Sequence, residues 1–171
     1  MPTQQHTAVM AGFSVVLVAL AFTAWRPMVR RTGRPSRATL GMLLAAAVCV
    51  SLTLPDQVQA GVVDRLHACV SGASARTFPG GPAHHAVNVV LWIPLGLFGA
   101  LATRRPLVVT AVGSLAWVLI ETAQTLDPIR SCQPVDWANN TAGILVGAVL
   151  GWLLVRRRST PEGLRASTTK P

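Results

Sequence analysis

Six polar side chains stand out in a chain that is half hydrophobic and only 12% charged: Asn88, Glu121, Gln124, Arg130, Asp136 and Asn140. Together they could bind a polar or anionic group. A guanidinium pairs with an anion, and primary amides both donate and accept hydrogen bonds. Either carboxylate, Glu121 or Asp136, could instead act as a general base toward water or a substrate hydroxyl. Glu121 and Gln124 sit in "LIETAQTLDPIR" (119–130), at the end of an apolar run. An ionised carboxylate at mid-bilayer costs roughly 2.5–3.5 kcal/mol, and less near the surface. If the run crosses a membrane, Glu121 must face protein and meet Gln124, an asparagine or Arg130, or else be protonated.

The rest of the chain says that the run does cross a membrane. Five apolar stretches of spanning length cover about 8–25, 38–54, 87–102, 107–126 and 138–155. Five such runs in 171 residues leave too little polar surface to enclose them as buried soluble helices. The predicted fold is all-α: a bundle of five transmembrane helices forming a single domain over 1–155, followed by a disordered basic tail over 156–171. The flank "MPTQQHT" lacks the basic residues of a signal peptide, so the first run is expected to stay as an anchor.

The net charge of +9 could suggest nucleic acid, but its placement argues against that. Twelve of the fifteen basic residues fall on one side of a five-pass serpentine: Arg26 to Arg37, Arg104, Arg105, and Arg156 onward. Basic loops stay in the cytoplasm, which predicts an outside N-terminus and an inside C-terminus in the plasma membrane. Asp56, Asp64, Glu121, Asp127 and Asp136 fall on or near the opposite side. The basic face can also touch anionic lipid.

This topology brings the six polar residues to one depth. Ser114, Trp117, Glu121, Gln124 and Thr125 form one stripe on the fourth span, with Val118, Leu119 and Ala123 off it. Asn88 opens the third span, with Trp92 one turn below. Pro94 should free a carbonyl that must face protein or water. "DWANNTAG" opens the fifth span, and Arg130 lies in the turn before it. Gly143, Gly147 and Gly151 give the fifth span a small-x-x-x-small face, and Gly96 and Gly99 thin the third, so close packing of these helices is expected. Two readings remain open at this point. The cluster is either a structural clamp between helices or a ligand site open to the outer leaflet.

In the long outer loop, Val58, Val62, Leu66, Cys69 and Val70 recur at helical spacing, which predicts a short amphipathic helix on the membrane face. Cys49 reads as a buried thiol within the second span. Cys69 and Cys132 both fall outside, where a disulfide could join them. The alternative is two free thiols. The spacing of His67, Cys69, His84 and His85 matches no zinc pattern, so no metal is predicted. No cofactor-binding motif is present, and none is expected.

The ordered set "NVVLWIPLG", Glu121-x-x-Gln124, Arg130, Asp136 and "NTAGILVGAVLG" resembles the VanZ-like membrane proteins over about 86–154. Gln133 stands where that family often carries an acid, and Trp92 where Phe is common. The family's namesake is associated with low-level resistance to teicoplanin, a lipoglycopeptide that acts on cell-wall precursors outside the membrane. The resemblance therefore implies an envelope factor whose partner is membrane lipid, a lipid-linked cell-wall precursor or a glycopeptide. Competing readings are an intramembrane lipid hydrolase or transferase using Glu121 or Asp136, and a scaffold. H-E-x-x-H, G-x-S-x-G and a phosphate loop are all lacking, which leans against an enzyme. The glycine face of the fifth span leaves room for a homo-oligomer.

Overall fold

The computed structural model describes residues 2–53, 60–71, 81–127 and 134–158. Among these residues the regular structure is all helical: α1 (Pro2–Thr32), α2 (Ser36–Thr53), α3 (Val62–Val70), α4 (Gly81–Thr103), α5 (Pro106–Gln124) and α6 (Pro134–Arg158). All but α3 contain a segment long and apolar enough to cross a membrane. Val15, Leu20, Leu107, Leu115, Leu119 and Leu150 are exposed around the bundle, a surface suited to lipid tails rather than water.

Several boundaries differ from the sequence expectation. The first helix does not stop at Trp25. It runs through Pro27 to Thr32, and the connection to α2 is only residues 33–35. Arginine is a good helix former, and Arg30 and Arg31 in the last turn complement the negative end of the helix dipole. Gly33 then closes the helix at φ 63°, donating its N–H to the Val29 carbonyl at 2.9 Å. Trp25 Nε1 donates to the Ser36 carbonyl at 2.9 Å and pins α1 to α2. The fourth span ends at Gln124, and the chain then tightens through i→i+3 bonds up to Asp127. The helix α6 continues three residues past the domain boundary expected at 155. Of the tail expected over 156–171, residues 156–158 belong to α6, and 159–171 lie outside the described residues.

Contacts fix the directions of the helices. A Cβ on Gly143, Gly147 or Gly151 would meet the carbonyl oxygen of Val89, Ile93 or Leu97 respectively. The constant offset means that α4 and α6 run parallel, backbone against backbone. Such approach is possible only where Cβ is absent, and it brings Cα–H groups toward carbonyls. Gly96 completes the seam from the other side, facing the Ile144 carbonyl. Gly99 does not join it but faces Val109 of α5. The antiparallel neighbours are set by Gly41 on Phe98 for α2 and α4, and by Gly113 on Ile144 for α5 and α6. Between these four helices lies an apolar core of Cys49, Trp92, Trp117 and Ile144.

This arrangement gives the bundle two unlike ends. One carries Arg30, Arg31, Arg37, Arg104, Arg105, Arg156 and Arg157, and is called the basic end below. The other, the polar end, carries α3, the start of α4 and α6, and the end of α2 and α5.

Candidate functional site

At the polar end, four helices contribute polar groups at one height, three of them side chains and α2 a main-chain carbonyl. Trp92 of α4 packs edge-on against Trp117 of α5 with ring centroids 4.8 Å apart, so Asn88 and Glu121, one turn further along each helix, lie at the same level. Ser114 accepts hydrogen bonds from Trp137 Nε1 and Thr141 Oγ1 of α6, each at 3.1 Å, which aligns Asp136 with that level too. Gln124 Nε2 donates to the Thr53 carbonyl at 2.7 Å and brings the end of α2 to the same height.

The polar groups there are held or buried, not scattered. Glu121, Gln124, Thr125, Asp127 and Asn140 are all buried. Val118 and Leu119, off the stripe, are exposed. Asn88 Nδ2 donates to Asp136 Oδ1 at 2.9 Å, joining the starts of α4 and α6. His84 Nε2 lies 3.8 Å from the same carboxylate oxygen, an ion pair only when the imidazole is protonated. Asn139 Nδ2 and His85 Nδ1 are 2.8 Å apart. Of the six residues singled out from the sequence, Asn88, Glu121, Gln124, Asp136 and Asn140 are gathered in one layer; Arg130 lies outside the described residues.

Two buried polar atoms have no hydrogen-bond partner among the described residues: Asn140 Oδ1 in this layer and Trp117 Nε1 one turn before Glu121 on α5. Asn140 is 1% exposed and Trp117 3%. One is an acceptor and the other a donor. A buried polar group without a protein partner costs about 1–3 kcal/mol unless water or a ligand satisfies it.

Sequence reasoning missed Arg65. Its Nε donates to the Thr125 carbonyl at 2.7 Å and its Nη2 to the Leu126 carbonyl at 3.2 Å, while Nη1 reaches the Ala60 carbonyl at 2.8 Å. The short helix α3 is thereby fastened across the end of α5, where helix carbonyls have no partner of their own and a cation is favoured. No local pattern marks an arginine for this role, because the two acceptors at the end of α5 are main-chain atoms about sixty residues away. The expected amphipathic helix exists, but it starts at Val62, and Val58 is outside the described residues. Cys69 on α3 is disulfide-bonded. Its expected partner Cys132 is not among the described residues. Cys49 is free and buried, its Sγ 3.4 Å from the Leu91 carbonyl. Pro94 itself is exposed at the bundle surface, and the Leu91 carbonyl about one turn before it faces protein, where it meets Cys49 Sγ.

Five lipid-facing helices with a buried polar layer near one end define a polytopic integral membrane protein with a candidate ligand site at the membrane boundary. More particularly, the chain belongs to the VanZ/LLP1 family, whose model matches residues 7–155. The match extends well beyond the 86–154 region that carries the sequence resemblance and takes in the first two membrane helices. No curated protein and no solved structure matches the chain.

Proposed function

We propose that the polar layer binds the headgroup of an envelope lipid at the outer leaflet of the plasma membrane, as a non-catalytic step in handling a lipid-linked cell-wall component. The observation that carries this reading is the buried, unpartnered pair Asn140 Oδ1 and Trp117 Nε1 together with Glu121, Gln124 and the Asn88–Asp136 bond. A ligand hydroxyl or amide offers both the donor that Asn140 Oδ1 lacks and the acceptor that Trp117 Nε1 lacks. Arg130, three residues past Asp127 in sequence, is assigned to the anionic part of the ligand. The segregation of arginines to the basic end supports placing the polar end outside. The proposed role extends to glycopeptide resistance, the property associated with the family's namesake, and teicoplanin is the case to test.

The test is complementation of cells lacking the protein under teicoplanin challenge, together with capture of lipid-linked precursor by the purified protein. Arg130→Ala should lose capture while remaining in the membrane at normal levels. Capture equal to wild type would remove Arg130 from this role. If neither Arg130→Ala nor Glu121→Gln differs from wild type, the layer is a structural clamp.

The approach of His84 to Asp136 favours one second reading, acid–base chemistry by a lipid hydrolase or transferase. Asp136→Asn, with Glu121→Gln beside it, discriminates between the two. Each keeps the shape of the side chain but removes one candidate base, so turnover would cease in one of them while binding persisted.

A further inference from the structure

At the basic end, far from the polar layer, the bundle contains a cavity of about 670 Å³. The first turn of α2 forms one side, from Pro35 to Ala38, and Phe98, Leu101 and Val155 form the apolar wall. Arg37 and Arg104 stand at it, both exposed. It therefore combines an apolar interior with two guanidinium groups.

Three further features give it a sign and a direction. The first turn of α2 carries no acidic residue, and the N–H groups of a first helical turn have no partners within the helix. Thr39 N–H is already bonded to the Pro35 carbonyl at 3.0 Å, which leaves the N–H groups before it for a ligand. Arg104 is the only non-glycine residue with positive φ among the described residues, at 58°. A residue with a Cβ is held there against its preference, in the place where a helix ordinarily ends in glycine or asparagine. Finally, Asp64, Glu121, Asp127 and Asp136, the acids among the described residues, all lie on segments at the polar end.

We infer that this cavity is a site for one anionic phospholipid, its phosphate between Arg37 and Arg104 at the α2 N-terminus and its glycerol and upper acyl carbons against Phe98, Leu101 and Val155. Arginine suits a phosphate because its planar fork offers two parallel donors. The apolar wall suits an amphiphile better than a free anion. Basic pockets between membrane helices are a known means of binding lipid headgroups. The site is independent of the polar layer and needs no ligand there.

The experiment is native mass spectrometry of the full chain released from nanodiscs of phosphatidylcholine doped with phosphatidylglycerol. Wild type should retain a single phosphatidylglycerol. The double variant Arg37→Gln/Arg104→Gln should retain about 10-fold less, given the strength of charge-assisted phosphate contacts. Arg30→Gln/Arg31→Gln, which removes the same charge nearby, should retain it as wild type does. Equal losses in the two double variants would reduce the effect to surface charge and overturn the site. Displacement of the lipid by millimolar inorganic phosphate or glycerophosphate would overturn the choice of a lipid over a free anion. Should the cavity variant fail to fold, a photoactivatable phosphatidylglycerol on the wild-type protein decides. Crosslinks within 35–38 and 98–104 support the site, and crosslinks confined to the exposed face of α1 refute it.

Discussion

Arg65 Nε donates to the carbonyl oxygen of Thr125 at 2.7 Å, so a residue of the short helix α3 closes the end of the membrane helix that carries Glu121 and Gln124. The bond holds the polar layer from above. Hydrogen bonds from a charged donor are worth about 1.5–3 kcal/mol, and Arg65→Met should lower stability by about that amount. A thermal melt in detergent measures the loss. The same variant should speed proteolysis within residues 60–71, and an unchanged cleavage rate would mean that α3 is held by other contacts.

The seam between α4 and α6 should be the least tolerant part of the fold. Gly147→Ala places a methyl group on the Ile93 carbonyl, and overpacking of that kind costs about 1–3 kcal/mol or more. Gly12→Ala meets nothing within 4 Å and replaces an exposed helical glycine, so it should be neutral or stabilise by about 0.5–1 kcal/mol. Melting both variants side by side checks the contrast. Equal effects would mean that α4 and α6 can separate without cost.

Gln124 and Asn140 are both buried amides, but Gln124 Nε2 has a partner and Asn140 Oδ1 has none among the described residues, so stability should depend on Gln124 and capture on Asn140. Gln124 Nε2 is bonded to the Thr53 carbonyl, and Gln124→Leu should destabilise by about 1 kcal/mol. Asn140 Oδ1 has no partner among the described residues, so Asn140→Leu should leave stability within about 1 kcal/mol of wild type. Precursor capture should nonetheless fall in Asn140→Leu. A folded Asn140→Leu protein that still captured precursor would take Asn140 out of the site.

Cys69 is disulfide-bonded, and Cys69→Ser should cost about 2–4 kcal/mol, as is typical for such links. Peptide mapping without reductant should find Cys69 joined to Cys132, the expected partner. Thiol labelling of the intact protein should reach neither residue, and labelling of both without reductant would exclude the pair.

How much of this was legible in the sequence depended on the range of the signal. Hydrocarbon cannot satisfy backbone polar groups, so a spanning segment must be a continuous apolar helix, and five such runs are plain from composition alone. Helical periodicity likewise put Trp117, Glu121 and Gln124 on one face, and all three are buried. The same rule gave a poor stopping point for α1. An arginine run reads as a loop by hydropathy, yet as a good helix end by dipole and propensity, and the helix follows the second.

Sequence alone determined the solvent of each segment, the separation of basic from acidic ends, and the polar character of one level of the bundle, because these are properties of single helices. Only the tertiary structure decided that α4 and α6 run in parallel contact, that Arg65 closes α5, that Asn88 holds Asp136, and that a cavity opens between Arg37 and Arg104. Each of these depends on the shape of surfaces far apart in the chain. A glycine face or a lone arginine shows what a helix can accept, and its partner is fixed only when the helices pack.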